Sequence, residues 1–270
     1  MSTAEQRAQM PKGTQAVLDR RTLFNANRNL LPLLKEGQCV LDVGCGSGSI
    51  TAGIAEIVGS TGQVIGIDSS SHLIELARKQ YGHLANLHFE ATELRHYLSS
   101  EPFHVVSSAR VLQWLAHPDE AVGHMVSLVR PGGWLSVLDY NHCKIEWKPK
   151  PPQSMQLFYD TFLKWRTEAG MDNTIADRLS QIFTDHGLTQ IHLEDHSEVS
   201  QKQITGFEAE ASIWTKVAET RGQQLVADGY MAEELRVQAI HDYERWIQEE
   251  GQSMKLYLLA VTGQKPGELR

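Results

Sequence analysis

The chain has 270 residues, 41% hydrophobic and 21% charged, a profile that allows a normal buried core without disulfide staples or structural metals. Its 25 Lys and Arg against 33 Asp and Glu leave a formal charge of −8, which argues against a broad phosphate-binding face of the kind nucleic acids require. Three cysteines without disulfide or CxxC spacing, no apolar leader in "MSTAEQRAQMPKG", and no apolar run of about 18 residues predict a cytoplasmic protein without a membrane span.

In chain order, residues 1–37 read as an N-terminal helical segment, with "RRTLFNANRNLLPLL" leaning on the core. Residues 38–142 alternate short apolar runs with helical periodicity. "QCVLDVG" is a buried strand, and Ile50, Ile54 and Ile57 then recur at helical spacing. "GQVIGID" is a second strand, and "SSHLIELARKQY" is a helix opened by capping serines. "NLHFEA" and "FHVVSSA" are the third and fourth strands; the helix "PDEAVGHMVSLV" and the turn "PGG" lead to a fifth, "WLSVLDY". A polar, proline-bearing connector, "EWKPKPP", opens a helical segment over residues 143–250. That segment holds "QSMQLFYDTFLKWRTEAG", a helix from about Asp172 to His186, and helices over about Gly206–Ala227 and Met231–Glu249. It wraps a sixth strand, "LTQIHLEDHSEV", and residues 251–270 supply the last strand, "MKLYLLAVTGQ", and a tail. The predicted fold is α/β: a doubly wound, mostly parallel seven-stranded sheet with a helical insertion around the sixth strand.

The chemistry is concentrated after the first strand. Gly44, Gly46 and Gly48 let the backbone turn tightly and approach a ligand, and the following helix end offers free N–H groups. A dinucleotide site would read G-x-G-x-x-G, but Ser49 stands at the third position here. Asp42, two residues before the first glycine, would repel a pyrophosphate and attract an ammonium. The pattern therefore favours a cofactor that bears adenosine but is cationic.

"VLDVGCGSGS" resembles the first motif of class I S-adenosylmethionine-dependent methyltransferases, and further segments agree in order over about residues 38–142. The resemblance implies a Rossmann-like fold with S-adenosylmethionine as cofactor. It lays Gly44, Cys45, Gly46, Ser47 and Gly48 along the methionyl and ribose parts, beside Asp42. Asp68 would take both ribose hydroxyls through its two oxygens, with Ser69 flanking the adenine. Glu90 and Ala91 fall where many relatives have "GDA", a departure that leaves Thr92 or a backbone carbonyl as alternatives. "SARVLQWL" matches the segment beside the methyl donor, which assigns Ala109, Arg110, Val111 and Trp114 to the cofactor and turns Gln113 toward cofactor or acceptor. The broader arrangement resembles the small-molecule branch of the family, the quinone-biosynthesis and secondary-metabolite type.

Methyl transfer from a sulfonium is an in-line displacement in which alignment and water exclusion matter most. The acceptor is expected at the carboxyl ends of the strands, near Asp139, Tyr140, Asn141 and His142. Tyr140 and His142 are the catalytic candidates, His142 as a base or, in the plainer reading, a hydrogen-bonded loop histidine. The stripe of Phe158, Phe162 and Trp165 reads first as core and second as an aromatic lid. Arg166 and Arg178 could bind an acidic acceptor, but isolated arginines read more simply as surface ion-pair partners. Cys45 reads as a small residue tolerated in a tight loop. The 12 histidines include no HExxH spacing, and no metal is expected. The competing readings are a methyltransferase acting on protein or RNA, a non-catalytic S-adenosylmethionine-binding module, and, against the loop spacing, a nicotinamide oxidoreductase. The acceptor, the methylated atom and the oligomeric state stay open.

Overall fold

The structure, a computed structural model, describes residues 3–9 and 19–267. Its centre is a seven-stranded sheet in the order β3-β2-β1-β4-β5-β10-β7. The strands are β1 (Cys39–Val43), β2 (Gln63–Asp68), β3 (Leu87–Ala91), β4 (Phe103–Ala109), β5 (Val129–Tyr140), β7 (Thr189–Asp195) and β10 (Leu258–Gln264). Pairing among β1 to β5 is parallel, and β10 runs antiparallel between β5 and β7. This is the mostly parallel, doubly wound sheet that the alternating pattern predicts.

Each parallel strand is apolar on both faces because successive side chains point to opposite sides. Leu41 and Val43 of β1 join one core with Val106, Val137 and Phe183. Val40 and Val105 join the other, with Ile54, Val58 and Ile74. Helices α3 (Ser49–Val58) and α4 (Ser71–Tyr81) cover that second face, and α5 (Pro118–Leu128) and α7 (Ile175–Asp185) cover the first. Local chemistry sets the helix starts: Ser70 Oγ accepts from Leu73 N at 3.3 Å, and Pro118 opens α5, where its missing N–H costs nothing.

Sequence and structure differ at three places. "RRTLFNANRNLLPLL" makes only a four-residue helix, α2 (Leu23–Ala26), then a 3-10 turn over Arg28–Leu33 that contains Pro32. Leu23 and Leu30 still pack fully into the core. Residues 10–18 of the N-terminal segment lie outside the described residues; α1 (Thr3–Ala8) precedes them. The connector "EWKPKPP" contains a three-residue strand, β6 (Glu146–Lys148), which Pro149 ends because proline offers no ladder donor. The sixth and last strands each break in two, giving β8 (Glu198–Gln201) after β7, and β9 (Ser253–Leu256) before β10.

These three short strands form a second, antiparallel sheet in the order β6-β9-β8. Its order repeats β5-β10-β7, so three neighbouring strands continue from one sheet into the other across a common bend. The small sheet carries α6 (Gln153–Glu168), α8 (Phe207–Ala211), α9 (Ile213–Ala227) and α10 (Glu233–Glu249). Their shared core holds Phe158, Phe162, Trp165, Trp214, Tyr243 and Trp246. The aromatic stripe of α6 is therefore core. Among the described residues no helix is long and apolar enough to cross a membrane.

Trp246 is buried and stacks on Tyr243 with ring centroids 5.3 Å apart. Replacing Trp246 with Ala should cost about 3–5 kcal/mol, read as a lowered urea midpoint with the slope unchanged.

Candidate active site

The loop between β1 and α3 is held from beneath by β2. Gly44 N and Cys45 N both donate to the Ile67 carbonyl, at 2.8 and 3.0 Å. Gly46 N donates to Asp68 Oδ2 at 3.0 Å, while Asp68 Oδ1 accepts from Ser70 N at 2.8 Å. One carboxylate thus ties the loop to the start of α4. Gly44 and Gly48 both have positive φ, 73° and 86°. A Cβ at Gly44 would lie 2.2 Å from Val111 Cγ2, and one at Gly48 would lie 2.7 Å from the Phe89 ring. Close approach, as well as the turn, requires glycine at both.

Asp68 is half-buried at the end of β2, and burial raises its pKa above the ordinary aspartate value despite the two N–H donors. Each of its oxygens spends one acceptor site on the backbone and keeps a lone pair for another donor. Glu90 and Ala91 end β3 beside it, paired with Ile67 and Asp68 and exposed to solvent, as is Ser69. Asp42 occupies a different place from the cleft wall that the spacing suggests. Its carboxylate is buried beneath the loop and accepts from Thr51 Oγ1 at 2.7 Å. Burial pushes its pKa up to about 7, against the Thr51 hydrogen bond and with help from the negative charge of Asp68. Burial likewise raises the Cys45 thiol well above its ordinary range, which keeps it protonated and inert.

Above the loop lies a cleft lined by Arg21, Gly44, Cys45, Gly46, Ser47, Ser49, Ile50, Ala109 and Arg110. Ser47 Oγ donates to Asp19 Oδ1 at 2.6 Å, so the segment before α2 closes one side. Arg110 is a non-glycine residue at φ 62°, a strained conformation that turns its side chain inward. Its Nε donates to Tyr140 Oη (3.1 Å), Nη1 to the Ala26 carbonyl (2.9 Å) and Nη2 to Glu198 Oε1 (2.6 Å). Arg21 also donates to Tyr140 Oη, at 3.3 Å, and that hydroxyl donates to Glu198 Oε2 at 3.3 Å. Tyr140 is thus held in a charged network at the end of β5, and burial raises its pKa above the ordinary tyrosine value against the positive charges of Arg21 and Arg110.

Beside this network, Gln113 joins the ends of β4 and β5. Its backbone N donates to Asp139 Oδ2 (3.1 Å), its Nε2 to the Arg110 carbonyl (3.3 Å), and its Oε1 lies 2.6 Å from His142 Nε2. An amide oxygen only accepts, so His142 Nε2 carries the proton and Nδ1 the lone pair. Burial, and then the positive charge of Arg166, hold His142 well below the ordinary histidine pKa. Its ring stacks on Tyr140 at 5.3 Å and meets Phe162 and Trp214 edge-on. Trp114 packs 4.4 Å from the Arg166 guanidinium and 4.5 Å from that of Arg221.

The glycine loop, Asp68, Ala109 and Arg110 therefore meet at one cleft, with Val111 against Gly44. Trp114, Tyr140 and His142 gather on the neighbouring side, toward the helices. Sequence reasoning missed Asp19, Arg21 and Glu198, because polar side chains in segments without motif or period carry no local signal. It also placed Arg166 at the surface, whereas its side chain is wholly buried; Arg178 is the surface arginine, paired with Asp172 at 2.5 Å. The signal for Arg166 was its position four residues after Phe162 and seven after Tyr159, on an otherwise aromatic helix face.

Residues 34–187 match the family model described as a methyltransferase domain. A 103-residue stretch, 37% of the chain and 30% of the relative, is 36% identical to an uncharacterized 37.1 kDa protein in transposon TN4556 of Streptomyces fradiae. A 186-residue stretch, 61% of the chain and 73% of the relative, is 25% identical to demethylmenaquinone methyltransferase of Halalkalibacterium halodurans. The matches to two curated relatives, the transposon protein among them, span less than half of those proteins' lengths. Among solved structures, phosphoethanolamine N-methyltransferase 2 of Haemonchus contortus shares the fold, with a TM-score of 0.56 at 16% identity over 89% of this chain and 52% of that one.

Because the folded Asp42 pKa of about 7 lies above the ordinary 3.8, the stability it contributes is complete below pH 3.8 and lost as pH rises toward 7. The urea midpoint of the ligand-free protein should fall over that range. Asp42→Asn should flatten the fall by up to about 1.4 kcal/mol per pH unit, the value of one proton.

Proposed function

The chain belongs to the methyltransferase-domain family, and from that membership we propose that it transfers a methyl group from S-adenosylmethionine to a small-molecule acceptor. One observation carries the cofactor assignment: the Asp68 carboxylate, fixed by two backbone N–H groups beside the glycine loop, keeps a lone pair on each oxygen. That pair of acceptors suits the two vicinal hydroxyls of a ribose, and a substituent on either of those hydroxyls would remove the fit. Ser69, Glu90 and Ala91 then flank the adenine. At the other end of the cleft, Arg21 presents a guanidinium group that suits the carboxylate of an amino acid, while the guanidinium of Arg110 is held by Tyr140, Ala26 and Glu198. Asp42, under the loop, adds a titrating negative charge beneath a cationic ligand. When bound, S-adenosylmethionine supplies an electrophilic methyl group on a sulfonium.

The chain's own residues align and desolvate the acceptor. The aromatic faces of Trp114, Phe162 and Trp214 exclude water from the side of the cleft that the helices cover. His142 holds its lone pair on Nδ1, with Gln113 fixing the tautomer, and is neutral at pH 7 because its pKa is depressed. It can therefore take a proton from an acidic O–H, N–H or C–H as the acceptor attacks. Tyr140, locked between Arg110 and Glu198, acts as a positioning residue that seats the His142 ring. The formal charge of −8 supports a small molecule over RNA.

Calorimetric titration should give micromolar S-adenosylmethionine binding that Asp68→Ala weakens roughly a hundredfold, the worth of two charge-assisted hydrogen bonds. A folded wild-type protein with no binding would refute the assignment. With an acceptor found by methyl-uptake screening, His142→Gln should lower kcat about a hundredfold and leave cofactor affinity unchanged. The acid limb of the wild-type pH–rate profile should lie below the ordinary histidine value.

A further inference from the structure

Arg166 is a fully buried cation without a carboxylate partner among the described residues. Its Nε donates to Asn173 Oδ1 at 2.7 Å and its Nη2 to the Gln113 carbonyl at 2.8 Å, both neutral groups. Nη1, equally buried, has no hydrogen-bond partner among the described residues. Asp139 lowers the cost of the charge through its field, but its hydrogen bonds go to the N–H groups of Gln113 and Tyr140, and it makes no ion pair with Arg166 among the described residues. Buried guanidinium groups ordinarily pair with an anion, since an isolated charge in an apolar surrounding is strongly disfavoured.

The surroundings of this group are aromatic, with few polar partners. Its guanidinium lies 4.4 Å from the Trp114 ring and 5.3 Å from the Phe162 ring. Trp214, 5.9 Å from the same Phe162 ring, has an indole N–H that is also buried without a partner among the described residues, as is the hydroxyl of Thr215 next to it. Gln113 connects the group to chemistry on both sides: its Nε2 bonds the carbonyl of Arg110, which lines the cofactor cleft, and its Oε1 accepts from His142. The unsatisfied cation is therefore one residue from the proposed base, at the strand ends where an acceptor would lie.

We propose that Arg166 anchors a carboxylate carried by the methyl acceptor, with Trp114 packed against the body of that molecule. The inference rests on the methyl-transfer reading above for the identity of its ligand. A carboxylate fits better than a phosphate dianion, because a planar group can lie along the Trp114 ring and meet the one open guanidinium N–H, whereas a tetrahedral dianion would leave most of its oxygens without donors. The acceptor class is a small aromatic or alicyclic acid, methylated at an atom other than the anchored carboxylate.

The test is calorimetric titration of the full chain, first with S-adenosylhomocysteine to saturation and then with sodium benzoate, with chloride holding the ionic strength fixed. Thermal midpoints are read on the same series. Benzoate should bind saturably and raise the midpoint above the chloride control, with sodium phosphate at least about tenfold weaker. Arg166→Gln should weaken benzoate about tenfold or more, Arg166→Lys should retain part of the affinity, and Arg178→Gln should leave it unchanged. If Arg166→Gln does not fold, the wild-type comparison and Arg166→Lys decide the question. Bound S-adenosylhomocysteine with no benzoate response beyond chloride would overturn the inference and leave the methyl-transfer reading standing. A benzoate response that Arg166→Gln leaves intact, or a preference for phosphate, would also overturn it. Absence of S-adenosylhomocysteine binding would instead remove the reading on which it rests.

Discussion

Everything at the cofactor cleft hangs on the carboxylate of Asp68. By accepting from Gly46 N and from Ser70 N, it joins the glycine loop after β1 to the helix start after β2. Two chain segments that diverge from neighbouring parallel strands are thereby held at one separation. Parallel pairing of Asp42 with Gly66 and of Val43 with Ile67 brings the strand ends level, and the Ile67 carbonyl takes the first two loop N–H groups. The loop can then lie flat against β4 only because Gly44 leaves room for Val111. A binding surface is assembled from backbone groups that the sheet register has already aligned.

The second constraint is the bend shared by β5, β7 and β10. Had those strands stopped at the sheet edge, the strand ends would face water. They continue instead as β6, β8 and β9, and carry a helical layer with its own aromatic core across the carboxyl ends of the strands. The continuation brings Glu198 of β8 to Arg110 and Tyr140, and α6 brings Arg166 to Gln113. The site is therefore stiffened from two directions, by the sheet below and by the helices above.

Charge in this molecule is unusual in where it is buried. Asp42 and Asp139 lie under the cleft with pKa values pushed up to about 7 and about 6 by burial, and Arg166 lies above it, pulled down to about 10 by the same cause. Arg110 differs because Glu198 pairs with it. Unpaired charges persist in a protein interior where ligand binding or catalysis uses them, since well-packed apolar residues would otherwise serve stability better.

The amino-acid sequence by itself determined the strand and helix alternation, the glycine loop and Asp68. These are local properties: apolar period, the need for positive φ, and an acid at a strand end. It did not reveal that β7–β8 and β9–β10 bend, because a strand's apolar run reads the same whether or not the sheet it joins changes direction. Nor did it reveal that Asp42 lies beneath the loop, that Arg21 lines the cleft, that Glu198 reaches Arg110 and Tyr140, or that Arg166 is buried. A charged side chain's burial depends on what packs over it, and for Arg166 that cover comes from Trp114, distant in the chain. Only the tertiary structure decided which charges are paired and which are buried without a partner, because segments remote in sequence supply their partners.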